Sequence, residues 1–337
     1  MKSMWSRQWF NRGNPKMLKT VNHFWSDMTL RSTVLPILAI IVLIAYFSMV
    51  NPLFFSSANA LNIGRQSAVL LMVSLAGTMV ILIGSIDLSV GSLVTLTGIL
   101  VAMSIDSLGA GGATLVGVGA GALVGFVNGG LVTVLRVPSF LVTLGMLSIL
   151  AGITNQISQG RSILFMNETL PTLVNGSFVL GIPNVIWFAL IATVLLTLVS
   201  FRTVLGRYLF ALGGGEVAAA HAGIPVNYYK VLAFMLAGAI CGLAGVLLTG
   251  QVGAGTPTAG SALLLNSIAA VVMGGTALSG GVGGPHRTFL GVLVIAILTN
   301  GMDVTGVNSF TQDIVKGFVI ILAVSLTIDR SKYAFIK

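Results

Sequence analysis

Apolar residues in this chain do not alternate with polar ones, as they would in a half-buried strand. They gather in continuous runs of about 17 to 27 residues, the length that crosses a hydrocarbon core about 30 Å thick as a helix. Ten such spans are read, at residues 33–50, 67–84, 88–105, 111–135, 138–155, 177–200, 230–249, 263–279, 286–302 and 312–328. A transmembrane β-barrel is excluded, because its strands would alternate in segments of about ten residues. The pattern predicts an all-α polytopic membrane protein, and an even number of spans puts both termini on one side.

Composition narrows the picture further. Only 7% of the 337 residues are charged and 55% are hydrophobic, whereas a soluble domain carries roughly 25% charged residues. A soluble enzyme, a disulfide scaffold (Cys241 is the single cysteine) and a nucleic-acid binder are all excluded on these grounds. The formal charge of +9 is explained by topology. If the termini are cytoplasmic, the inner segments hold six basic residues of the N-terminal tail, Arg136, Arg202, Arg207, Lys230, Arg287 and three at the C-terminus. Arg65, Arg161 and Lys316 fall on the outer side, as the positive-inside rule favours. The chain then divides into a basic tail (1–32), a membrane-spanning domain (33–329, with its longest inner loop at 201–229) and a second basic tail (330–337).

Within the first tail, Met17, Leu18, Val21, Phe24, Trp25 and Met28 recur at helical spacing beside Lys16, Lys19 and Arg31. They form either an amphipathic helix lying on membrane lipids or a disordered basic tail. Ala58-Asn59-Ala60 resembles a cleavage site, but the tail before the first span is too long and the span comes too late for an ordinary signal peptide. Gly117, Gly121, Gly125 and Gly129 stack on one helix face, and Gly238 and Gly242 make a shorter stripe with Cys241 and Gly245 alongside. Both read as packing surfaces. Leu61-Asn-Ile-Gly-Arg65 and Thr203-Val-Leu-Gly-Arg207 each precede a span, in keeping with a five-plus-five internal repeat.

Candidate chemistry is sparse. The glycine-rich segment 274–284 lacks the lysine of a phosphate-binding loop, and His23, His221 and His286 show no metal-ligand spacing, so neither an enzyme site nor a resident metal is expected. Asp87, with Ser89 and Gly91 in the segment 83–92, is the one acid clearly set between apolar runs. A charge at the centre of a membrane helix costs about 2.5–3.5 kcal/mol on insertion scales and needs a reason. Two remain open: a proton, ion or substrate site, or a cap in which Asp87 or Ser89 satisfies amides of the next helix. Asn128, Asn155, Gln156, Asn266, Asn300 and Thr305 are the neutral polar candidates for a transport pathway, and for each the favoured reading is helix-packing glue rather than cargo contact.

The loop 201–229 is more informative. After Gly206-Arg207 come Gly213-Gly-Gly215, then Glu216-Val-Ala-Ala-Ala-His-Ala222, then Gly223-Ile-Pro225. Flanking glycines, an acid in the first turn and a trailing proline delimit a helix of about two turns, whose alanines offer a smooth surface for a groove on another protein. Such a helix is unstable alone.

Three segments together carry a family resemblance: 84–91 (Gly-Ser-Ile-Asp-Leu-Ser-Val-Gly), 205–213 with Ala219, Ala220, Gly223 and Ile224, and 268–276 (Ile-Ala-Ala-Val-Val-Met-Gly-Gly-Thr). From about residue 35 to 330 the chain resembles the ribose-type permease subunits of bacterial ABC sugar importers, in the branched-chain amino acid/ribose superfamily. The resemblance implies an inner-membrane subunit that pairs with a like or homologous permease and takes a monosaccharide or similar polyol from a periplasmic binding protein. It also implies a tandem-domain ATPase that holds the ATP and magnesium, with no cofactor on this chain. Glu216 to Gly223 would then be the helix that couples to that ATPase. Two positions depart from the family pattern: Gly215 replaces a common asparagine, and Asn266-Ser267 stands where an acid is frequent. Competing readings are an amino acid permease of the sibling group, or a secondary transporter with Asp87 as its proton site.

Overall fold

The computed structural model describes the backbone of residues 28–327 and the side chains of residues 33–322. The amphipathic tail read over 1–32 lies outside the described side chains, and the tail 330–337 outside the described residues altogether. Twelve α-helices are present among the described residues: α1 Met28–Val50, α2 Ser57–Leu82, α3 Val90–Leu135, α4 Ser139–Ser158, α5 Thr169–Asn175, α6 Asn184–Arg202, α7 Val204–Gly214, α8 Glu216–His221, α9 Val226–Val252, α10 Leu263–Met273, α11 Pro285–Val304 and α12 Ser309–Thr327. Seven of them are long and apolar enough to cross a membrane. The chain is an all-α polytopic membrane protein, with one unforeseen two-residue ribbon in which β1 (Ile163–Leu164) pairs antiparallel with β2 (Ala254–Gly255).

Local chemistry moves several predicted span ends. Helix α2 begins ten residues early because the Ser56 hydroxyl accepts from the Asn59 amide at 3.2 Å. The polar Asn59 side chain is then buried, donating to Phe54 O and Asn300 Oδ1, each at 2.9 Å. The run from 177 is not helical until Asn184, because Leu180 and Gly181 take positive φ and Pro183 restricts the residue before it. Residues 88–105 and 111–135 are two limbs of α3 meeting at Gly109, whose φ of 69° and ψ of 175° break the helix. The span expected at 263–279 stops at Met273.

The core lies where α3 crosses α9. Along that seam Gly121 and Gly238 approach so closely that a Cβ on either would overlap the other's carbonyl, and a Cβ on Gly242 would overlap the Gly117 carbonyl. In lipid, where burial of apolar surface drives nothing, close backbone approach is what holds helices together. Phe234 and Cys241 of α9 are fully buried there.

Candidate functional site

One end of the bundle gathers the turn 83–89, the short link 136–138, the loop between α6 and α9, and the glycine-rich turn 274–284. The loop is more ordered than its sequence implied. Thr203 caps α7 by accepting from the Gly206 amide at 3.3 Å. Leu209 and Leu212 bury its inner face. Gly206 sits against the Ser200 carbonyl. Gly213 lies so close to the Leu82 carbonyl and to the Gly280–Gly281 backbone that any side chain there would overlap them, and the Gly281 amide donates to Leu82 O at 3.0 Å. Helix α7 is thus seated on the turns that follow α2 and α10. The apolar pattern of 205–213 is the sequence signal for this helix, which its glycines alone do not announce; Arg207 is exposed.

Helix α8 spans six residues. Its end is closed by paired bonds, Ile224 N–H to Ala219 O at 3.1 Å and Gly223 N–H to Ala220 O at 3.0 Å. Gly223, at φ 82°, supplies the left-handed residue this closure needs. Glu216 receives the Lys230 ammonium at 2.6 Å. The alanines do not form one outward face: Ala219 is buried at 5% exposure, while Val217, Ala218, Ala220 and His221 are open. The open surface of α8 is therefore Val217, Ala218, Ala220 and His221, and Ala219 belongs to the chain's own packing.

Beside α8 a cleft of about 620 Å³ is lined by Gly84, Ser85, Ile86, Arg136, Ser139, Glu216 and Lys230, among others. Its wall is the turn carrying Asp87. The Asp87 carboxylate accepts from the Ser89 amide at 2.8 Å and from the Ser89 hydroxyl at 2.6 Å. That hydroxyl accepts from Asn128 Nδ2 at 3.0 Å. Ser89 makes no side-chain bond into the first turn of α3, so Asp87 folds the turn ahead of the helix and does not cap the amides beyond it. Gly91 packs against the Gly260 carbonyl.

The six neutral pathway candidates are not brought together. Asn128 and Asn300 are buried, held by Ser89 and Asn59. Asn155 and Gln156 stand exposed on the far part of α4, Asn266 is half-buried, and Thr305 donates back to the Gly301 carbonyl at 2.8 Å. Ser139 and Thr143, absent from the sequence candidates, contact the turn 83–89 directly. Among the described residues no group of three or more His, Cys, Asp or Glu could hold a metal ion.

The family described as "Branched-chain amino acid transport system / permease component" matches residues 59–324. The ribose import permease protein RbsC of Haemophilus influenzae is 40% identical over 291 residues, 85% of this chain and 90% of that protein. RbsC of Escherichia coli is 38% identical over 303 residues, 88% and 93% of the two chains. The D-allose transport system permease protein AlsC of Escherichia coli is 35% identical over 295 residues, 86% and 89%. No solved structure matches. By a family match over most of its length and near full-length identity to ribose permeases, and with seven apolar membrane-length helices among the described residues, the chain belongs to this permease family, in its ribose-type branch, as a multi-pass inner-membrane transport subunit and not an enzyme.

Proposed function

We propose that this chain is the permease of an ATP-driven importer of a monosaccharide such as ribose or a similar polyol. The observation that carries the reading is relatedness of 35–40% over most of both chains to proteins named for ribose and allose transport. The family description mentions branched-chain amino acids, but near full-length identity to individual sugar permeases bears more closely on cargo. The sugar arrives from a periplasmic binding protein and passes between two permease copies that rock from one side open to the other. ATP and magnesium stay on a tandem-domain ATPase that docks on the open face of α8.

The chain crosses the membrane ten times with both termini cytoplasmic and a five-plus-five repeat. The reading counts the two limbs of α3 separately, and α10 as a crossing completed by its flanking turns. That orientation puts Arg136, Arg202, Arg207, Lys230 and Arg287 at the inner end. Proton coupling through Asp87 lacks support, since both bonds to its carboxylate come from Ser89. The test is ATP hydrolysis by the permease–ATPase complex in nanodiscs on adding binding protein saturated with ribose, allose or leucine. Stimulation by a sugar-loaded protein is expected. Stimulation by leucine alone would move the cargo to amino acids.

A further inference from the structure

Past the end of α2 the chain turns, and Ile86 to Leu88 lie in neither a helix nor a strand, so their amides have no helical partner. The Ile86 amide donates to Ser139 Oγ at 3.0 Å and the Leu88 amide to Thr143 Oγ1 at 3.0 Å. The Thr143 hydroxyl in turn reaches Ile86 O at 3.2 Å, or Ser139 O one turn back at 3.0 Å. The spacing explains the fit. Residues four apart on a helix share one face and rise about 6 Å, so the hydroxyls of Ser139 and Thr143 point the same way and meet two amides of the turn. The turn is thus bolted to the first turns of α4 at two points.

The same turn is tied at both its ends. At its start, Leu82 O takes the Gly281 amide, and Gly213 of the loop lies against both. At its finish, Asp87 and Ser89 lock it to Asn128 of α3. Helix α4 is held differently. It buries a single stripe, Thr143, Met146, Leu150, Thr154 and Ser158, while Phe140, Leu141, Leu144, Ile149 and Ile153 are open. A helix gripped along one stripe and pinned at one end can tilt when the pin moves.

We infer that Ser139 and Thr143 are positioning residues, through which the turn 83–89 converts movement of the loop 201–229 into movement of α4. The inference rests on the reading of that loop as the ATPase-docking element. Hydroxyls suit the task, because a directional bond transmits a displacement that a greasy contact would let slip.

The test uses proteoliposomes holding the permease, its ATPase and the binding protein, with radiolabelled ribose and ATP hydrolysis followed together. Exchanging Ser139→Ala and Thr143→Val should lower the sugar moved per ATP hydrolysed about tenfold, the size of an ordinary coupling free energy. Thr143→Ser, which keeps the hydroxyl, should behave as the parent. A second readout is thiol labelling of an Asn155→Cys variant, with the buried Cys241 silent. Its rate should change between nucleotide-free and ATP-bound complexes in the parent, and stay constant once the Ser139→Ala and Thr143→Val exchanges are added. If the double variant fails to reach the membrane, Thr143→Val against Thr143→Ser decides alone. An unchanged sugar-to-ATP ratio, or equal loss in Thr143→Ser, overturns the inference. Failure of the loop reading has a different signature: an Ala220→Trp variant would then co-purify with the ATPase as the parent does.

Discussion

Replacing Gly121 by Ala sets two known effects against each other at one position. Within a helix alanine gains up to about 1 kcal/mol over glycine. At Gly121, however, the new methyl would overlap the Gly238 carbonyl and stand 2.9 Å from both the Cα and N of Gly242. Carbon atoms rest at about 3.5–4.0 Å, and the Gly238 carbonyl stands nearer still, so α3 and α9 must separate by about 1 Å or more. The obstacle is backbone, which cannot rotate aside as a side chain would. Separation also loosens the contacts at Gly117, Gly125 and Gly129, each atom pair worth about 0.1–0.2 kcal/mol. Overpacking therefore falls in the upper part of its usual range of about 1–3 kcal/mol. The net expectation is a loss of about 1–2 kcal/mol. Gly119, on the same helix with nothing within 4 Å of an added Cβ, is the matched control, and Gly119→Ala should be neutral or up to about 1 kcal/mol stabilising. Thermal unfolding of the purified chain in detergent compares the two. Equal melting temperatures for both variants would refute the account of this seam.

Three further outcomes are expected. Ala218→Trp and Ala220→Trp should keep normal membrane levels while weakening ATPase co-purification and sugar uptake. Ala219→Trp should lower the membrane level itself, because its side chain points into the chain's own packing; pull-down and immunoblotting separate the two cases. Asp106 accepts from the Met166 amide at 3.1 Å and the Asn167 amide at 2.9 Å, so Asp106→Ala should free the segment 160–168 and speed its cleavage by a protease, with uptake as the second readout. For topology, cysteines at the exposed Ser162 and at Ser331 should be labelled by an impermeant reagent in spheroplasts at 162 only; labelling at 331 alone would reverse the proposed orientation.

How far the sequence could be read depended on the range of the interaction. Uninterrupted apolar runs specify helices by themselves, and the stacked glycines of α3 needed only a helical period to be recognised as a packing face. The start of α2 was missed because Arg65 and Gln66 look like the edge of a span. The structure carries the helix on to Ser57 by a local cap and by burying Asn59 against Asn300, 241 residues away. Glycines on either side announced α8, but not which alanine faces inward. In six residues there is too little periodicity, and the closing bonds at Ile224 with the Lys230 pair set its rotation. Ser139 and Thr143 left no signal at all, because their partners are backbone amides 53 and 55 residues away.

The central claim is that this chain carries a sugar with energy supplied from outside itself. Its most direct measurement is radiolabelled ribose uptake into proteoliposomes containing the permease, its ATPase and ribose-loaded binding protein, with a protonophore present or absent. The account predicts uptake that requires enclosed or added ATP on the ATPase side, requires the binding protein, and is unchanged when the proton gradient is collapsed. Uptake that proceeds without ATP and stops with the protonophore would contradict it.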